Sequence, residues 1–326
     1  MELRKVQKTS GGTFFVCLPK EWAEKSGLSK SSVISVSESA DGRLILDTKH
    51  DVERAPQITS VKPSAFLNRE IVGKYLLGYD IIRVEAKDRI SHEDREQIQL
   101  ASSRLIGLEI VEEDYSRIVM QTLLEPSAYP PEKILRREYS IAAGMHRDAV
   151  SAFVDCDVHL AKDVVARDDE VNRLYFLLVR ILRTVIQNPS LSDKLGILPI
   201  DCLDYRLTAS LVESIGDQSV QIAGKTMRLK EEKLAKEVSQ GILKFHRLAF
   251  EAHENALRAL FTRDVALAES VRIMRQNVST VFHEAESIAS AQPVDVAPHA
   301  LAVASLISRI YESSVDIADL VMPRTA

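Results

Sequence analysis

The sequence predicts a multidomain α+β chain: a β-rich N-terminal module, a small α/β middle domain and an all-α C-terminal pair of three-helix bundles. Three observations carry this. Residues 1–50 alternate apolar and polar side chains around turn signals; residues 51–130 switch between strand-like and helix-like runs. Residues 131–326 place apolar residues three and four apart, the period of a helix face, and contain an internal repeat. A chain of 326 residues suits two or three domains of roughly 100–200 residues each.

In the first fifty residues, Phe14, Val16 and Leu18 alternate with Phe15, Cys17 and Pro19 after the Ser10-Gly11-Gly12 turn. Pro19 opens a short helix over Lys20 to Lys25, and Gly27 closes it. Val33 to Val36 and Arg43 to Leu46 flank Ala40-Asp41-Gly42, a hairpin signal. Residues 51–130 give an extended Pro56–Val61, a helix over Pro63–Leu77 and a strand over Tyr79–Glu85. Ser91, with Asp94 three residues on, caps a helix that runs to about Ile106 and stops at Gly107. Leu108–Glu112 and Arg117–Leu124 complete the domain as a hairpin. From Pro130-Pro131 onward, roughly six helices fall in two groups, about 131–225 and 240–326.

The two groups match internally. Asp157-Val158-His159-Leu160-Ala161 pairs with Asp264-Val265-Ala266-Leu267-Ala268, and at the same offset His146 and Ala149 pair with His253 and Ala256. Glu213-Ser-Ile-Gly-Asp217 pairs with Glu312-Ser-Ser-Val-Asp316.

Charge and composition exclude several classes. A net charge of −5 rules out a wholly nucleic-acid-binding surface, so any DNA contact is local. Cys17, Cys156 and Cys202 are odd in number and form no CxxC, which favours a reduced cytoplasmic location. Met1, Glu2, Arg4 and Lys5 do not open a signal peptide. The most apolar run, Leu174–Leu182, is short and broken by Arg180, so no membrane insertion is expected. The sequence holds no P-loop, Gly-x-Ser-x-Gly or His-Glu-x-x-His pattern, its histidines are scattered, and no enzymatic activity is expected.

The chemistry-bearing feature is acidic. Glu213 and Asp217, like Glu312 and Asp316, lie four residues apart and share a helix face one turn apart. Like charges at that spacing repel unless neutralised, and a cation held by carboxylate oxygens would do so. An isolated pair of this kind is ordinarily a solvated face; recurrence in both repeats is what gives the metal reading weight. Asp168, Asp169 and Glu170 add carboxylates in the first repeat, whereas the corresponding Arg275-Gln276-Asn277 has none.

Leu160 to Leu174, with Asp168, Val171 and Asn172, resembles PhoU repeats, as do Glu213 to Asp217 and Arg309 to Ala318. The resemblance covers residues 131–326. It implies paired three-helix bundles whose Glu/Asp-xxx-Asp motifs hold metal, and repression of phosphate-starvation signalling through the phosphate transporter and its sensor kinase. Carried over, it makes Glu213, Asp217, Glu312 and Asp316 metal ligands, with Asp168 and Asn172 as additions. The ion would be divalent or trivalent (Mg, Mn, Zn or Fe).

Residues 3–46 resemble the AbrB/SpoVT family through Arg4-Lys5-Val6, Phe15 to Trp22, Gly27-Leu28 and the Asp41-Gly42 hairpin. This implies a swapped-hairpin β-barrel shared by two chains that binds DNA. The first 36 residues carry Arg4, Lys5, Lys8, Lys20, Lys25 and Lys30 against Glu2, Glu21 and Glu24, a local positive excess. Arg4, Lys5, Lys8, Thr9, Lys20 and Lys25 are the expected DNA contacts. Trp22 and Ala23 stand where AbrB relatives often place arginines, so that contact does not carry over; Trp22 and Cys17 are expected in the core. The expectation is a homodimeric regulator of phosphate uptake and phosphate homeostasis that binds a two-fold symmetric promoter site. The alternative is a non-DNA-binding adaptor acting on a phosphate-transporter ATPase or sensor kinase; a metal-dependent hydrolase is the third and weakest.

Overall fold

The computed structural model describes residues 3–38, 42–48, 56–229 and 233–323. The chain divides into two compact units, Met1–Ala55 and Pro56–Ala326.

In the first unit, β1 (Gln7–Lys8) and β2 (Phe14–Phe15) pair antiparallel across a turn in which Gly12 takes a left-handed conformation. The Thr9 hydroxyl accepts from the Thr13 amide at 3.1 Å and closes that turn. Pro19 precedes α1 (Lys20–Lys25), and β3 (Ser35–Glu38) pairs antiparallel with β4 (Leu44–Asp47). Ala40 and Asp41 of the predicted hairpin turn, and the domain boundary predicted after residue 50, lie outside the described residues. The strands form two separate two-stranded sheets, and no closed barrel is present among the described residues of one chain. Phe14, Phe15, Val16, Val36 and Leu44 are all exposed. Cys17, expected in a core, is exposed within the single chain, and Trp22 is half-buried.

The second unit begins with β5 (Ile58–Val61), α2 (Leu67–Leu76), β6 (Ile81–Glu85), α3 (His92–Arg104), β7 (Leu108–Glu113) and β8 (Arg117–Thr122). These strands make one sheet ordered β5-β6-β8-β7, with β5 and β6 parallel across the α2 crossover and the other pairs antiparallel. Its core gathers Leu67, Ile71 and Tyr75 of α2 with Ile82, Val84, Ile98, Leu105 and Met120. Ser91 caps α3 as expected, its hydroxyl accepting from the Asp94 amide at 3.1 Å. Gly107 is required twice over: its φ is +77°, and a Cβ there would stand 2.3 Å from Leu124 Cγ.

Helices then take over: α4 (Pro131–Asp155), α5 (Val158–Gln187), α6 (Pro189–Leu195), α7 (Asp201–Thr226), α8 (Lys236–Thr262), α9 (Val265–Ile273), α10 (Arg275–Ser290) and α11 (Ala297–Asp319). α4, α5 and α7 pack as one three-helix bundle. α8, α9–α10 and α11 pack as a second, and α4–α8 and α7–α11 contacts join the two. One continuous core runs through both. The repeat is exact in its backbone punctuation. Cys156 and Arg263 both take the left-handed conformation that ends a helix, at φ 54° and 55°. Each is followed by a capping aspartate: Asp157 accepts from the His159 and Leu160 amides, and Asp264 from the Leu267 amide. The second bundle differs where its middle helix breaks at Met274, between α9 and α10.

α5 also carries the middle domain. Arg180, expected only to interrupt an apolar run, is buried and reaches the C-terminal end of α2. Its guanidinium donates to the carbonyls of Tyr75 at 2.7 Å and Tyr79 at 2.8 Å, and pairs with the Asp80 carboxylate at 3.1 Å. No helix among the described residues is long and apolar enough to cross a membrane.

Candidate functional site

The predicted acidic residues of the first bundle come together on the facing surfaces of α5 and α7. Glu213 and Asp217 share one face of α7, and Asp168 and Asn172 one face of α5. Gly216 of α7 faces α5: a Cβ there would lie 3.9 Å from Asp168 Oδ1, in ordinary contact. Asn172 donates to Asp168 Oδ2 at 3.0 Å, while Asp168 Oδ1 is buried without a partner among the described residues. Asp169 is exposed, and Glu170 is taken up by Arg137 at 2.8 Å and Arg173 at 3.3 Å.

Sequence reasoning missed the deepest member. Glu138 of α4 is fully buried, and neither carboxylate oxygen has a hydrogen-bond partner among the described residues. Burial first, and the charge of Glu213 second, push its carboxyl well above the usual range, against the opposing pull of Arg206. Asp168 is raised by burial and then by Asp217 and Asp169; Glu213 by burial and then by Asp217 and Asp168; Asp217 by burial. Asp217 and Asp168 thus make Glu213 harder to ionise, and Glu213 does the same to Glu138. As the side chains stand, no three His, Cys, Asp or Glu among the described residues converge closely enough to hold a metal ion between them.

The second bundle is arranged differently. Glu312 and Asp316 both lie exposed on α11, and Glu312 is already paired with Arg275 at 3.0 Å.

A second polar group lies where the bundles meet. The Tyr139 hydroxyl is 2.8 Å from His253 Nδ1, His253 Nε2 is 3.2 Å from His146 Nδ1, and His146 Nε2 is 3.2 Å from His246 Nδ1. His146 and His253 are fully buried. One consistent set of protons runs down the row, each neutral imidazole donating from Nε2 and accepting at Nδ1. The histidines looked scattered in the chain, yet His146 and His253 are the very pair that the repeat equates. His246 and His253, seven residues apart on α8, share a face. A cavity of about 360 Å³ between Pro131, Asp201, Tyr205, Phe261 and Arg263 contains none of the predicted residues.

In the N-terminal unit, Arg4, Lys5, Lys8, Thr9, Lys20 and Lys25 are all exposed. Lys8 and Thr9 lead into the first turn, with the Lys8 ammonium 5.1 Å from the Phe14 ring centre. Lys20 and Lys25 occupy the two ends of α1, Lys20 alongside Glu24 at 3.8 Å.

Residues 135–226 match the family model of the PhoU domain. Two solved structures are similar over the helices. PhoU from Pseudomonas aeruginosa aligns at a TM-score of 0.54 and 20% identity, over 60% of this chain and 95% of that one. The phosphate transport system regulatory protein PhoU from Streptococcus pneumoniae aligns at 0.50 and 15%, over 59% and 91%. No curated protein matches. The helical part has the PhoU fold. The domain match runs from α4 to the end of α7, so it contains Asp168, Asn172, Glu213 and Asp217, and Glu138 with them.

Proposed function

We propose that this protein is a PhoU-type regulator of phosphate uptake and phosphate homeostasis, acting by contact on a phosphate-transporter ATPase or sensor kinase. The observation that carries the reading is the pair of repeat-related three-helix bundles, the first matching the PhoU domain over residues 135–226. The reading assigns it no catalytic role. Biolayer interferometry of the full chain against the transporter ATPase and the kinase of its own organism tests it. Saturable binding to either supports it; binding to neither sinks it.

A metal ion belongs to this reading in the first bundle. Asp168, Asn172, Glu213 and Asp217 would hold it, and the oxygen-only donor set favours hard cations such as Mg²⁺ or Mn²⁺. The unpartnered oxygens among the described residues, Oδ1 of the half-buried Asp168 and both of the buried Glu138, support a cation there. A bound ion would neutralise the cluster and tie α5 to α7. Uptake requires the side chains to turn toward one another from their present placement.

The N-terminal unit supports a second activity. Its exposed apolar residues Phe14, Phe15, Val16, Val36 and Leu44 need a partner surface, and a second copy of this chain provides one. Arg4, Lys5 and Lys8 on the same unit then favour promoter DNA with two-fold symmetry. Fluorescence anisotropy across a salt series tests this, with Arg4, Lys5 and Lys8 changed to alanine. Salt-dependent, promoter-preferring binding lost in that variant supports DNA recognition; equal affinity for scrambled DNA restricts the unit to dimerisation.

A further inference from the structure

We propose that Arg275 is a built-in cation of the second bundle: its guanidinium stands where the first bundle takes up metal, so each chain binds metal in the first bundle only. The proposal rests on the metal reading of the first bundle and adds which residue decides between the two.

The register comes from the backbone. The left-handed residues Cys156 and Arg263, each followed by its capping aspartate, align α5 with α9–α10. That alignment sets Arg275 at the position of Asp168 and Ser279 at that of Asn172. The same offset, which pairs His146 of α4 with His253 of α8, sets Phe245 at the position of Glu138. The Glu-xxx-Asp motifs align α7 with α11, so Glu312 and Asp316 stand for Glu213 and Asp217. The second bundle therefore keeps the two carboxylates of one helix, loses the buried one of another, and exchanges the third for a guanidinium.

Geometry agrees with the register. Arg275 Nη2 is 3.0 Å from Glu312 Oε2, the carboxylate that a metal would need. Next to Glu312 in sequence, the Tyr311 hydroxyl donates at 3.0 Å to the Val271 carbonyl, three residues before the break between α9 and α10. A guanidinium does not lose its proton in a protein, so Arg275, on the exposed face beside Glu312, carries its charge at any working pH. An incoming divalent ion would have to displace it from Glu312 against like-charge repulsion. In the first bundle the balance is opposite: Asp168 occupies the aligned position, and Glu138 is buried with both oxygens unpartnered among the described residues.

Manganese binding to the full chain, stripped of metal by chelation, tests this by isothermal titration and native mass spectrometry. Wild type is expected to bind Mn²⁺ at a stoichiometry that D217N abolishes and E312Q leaves unchanged. R275D, and independently R275N, should add a second set of ions, which E312Q then removes; circular dichroism checks that each variant is folded. Loss of wild-type binding in E312Q overturns the proposal, and so do folded R275D and R275N proteins with no added uptake. If wild type binds no Mn²⁺, the first-bundle reading fails separately. Uptake at Glu312 in R275D would still support the role of Arg275, and its absence would overturn it.

Discussion

Glu138 presents an unusual electrostatic cost: a fully buried carboxyl with no donor to its oxygens among the described residues and with Glu213 beside it. Its carboxyl is raised above the unfolded value, so between those two values the folded chain holds a proton that the unfolded chain releases. That contribution to stability is present at low pH and lost as pH rises through the folded value. Glu138→Gln should therefore raise Tm at pH 7 in the presence of chelator, by a few degrees. The difference should vanish below about pH 4, where both forms are neutral. Differential scanning fluorimetry across pH checks this; a lower Tm at pH 7 would contradict it. Glu213 and Asp217 were legible in the sequence because a four-residue spacing is a helix-face signal by itself. Glu138 was not, since a single glutamate in an amphipathic helix looks the same whether it faces water or a neighbouring helix. Arg275 was legible only as a missing carboxylate; its pairing with Glu312 needed the helices in place.

Between elements, two polar contacts hold packed helices in register. The Tyr139–His253–His146–His246 row joins α4 to α8. Burial lowers all three histidines, His246 to about 4 and His253 to about 3, with neighbouring His246 adding to His253 and with Arg147 and Arg247 adding to His246. Below about pH 6.5 the unfolded chain takes up protons that these imidazoles refuse, so stability is lost as pH falls from there toward 4. For His246 alone the loss is on the order of 3 kcal/mol, at about 1.4 kcal/mol for each pH unit. Urea unfolding of His246→Phe should show a shallower pH slope than wild type over that window; the comparison cancels the opposite contribution of the carboxylates. Arg180 is the second contact. Arg180→Met should cost on the order of 3 kcal/mol, because it removes a buried donor from the Tyr79 carbonyl, one of the donors to the Tyr75 carbonyl, and the cation beside Asp80, which keeps the Gln57 amide. Hydrogen exchange should rise first in residues 75–80. Most helices and strands of the second unit were readable from period and caps. The helix expected over Pro63–Leu77 instead begins at Leu67, because the Ser64 hydroxyl accepts from the Phe66 amide and donates to Glu70, forming a turn ahead of it. Contacts such as Arg180 with α2 join residues about a hundred positions apart, which no local pattern encodes.

For the whole molecule, the repeat was the decisive sequence signal: two stretches with the same spacing must fold alike and stack, and they do. The N-terminal module was legible as strands and the short helix Lys20–Lys25, and its Phe14, Phe15, Val16, Val36 and Leu44 stay exposed within one chain. Its exposed Phe14, Phe15, Val16, Val36 and Leu44 predict a dimer, and replacing Phe14 and Val36 with serine should convert dimer to monomer in light-scattering chromatography. A wild-type monomer at micromolar concentration would contradict this. The central claim is that the paired bundles restrain phosphate uptake. Its most direct test is phosphate uptake by cells grown with ample phosphate, compared between a strain lacking the gene and the same strain given back wild type or E213Q/D217N. The account predicts several-fold higher uptake without the gene, restored to normal by wild type and not by the double variant. Uptake that is the same with and without the gene would contradict it.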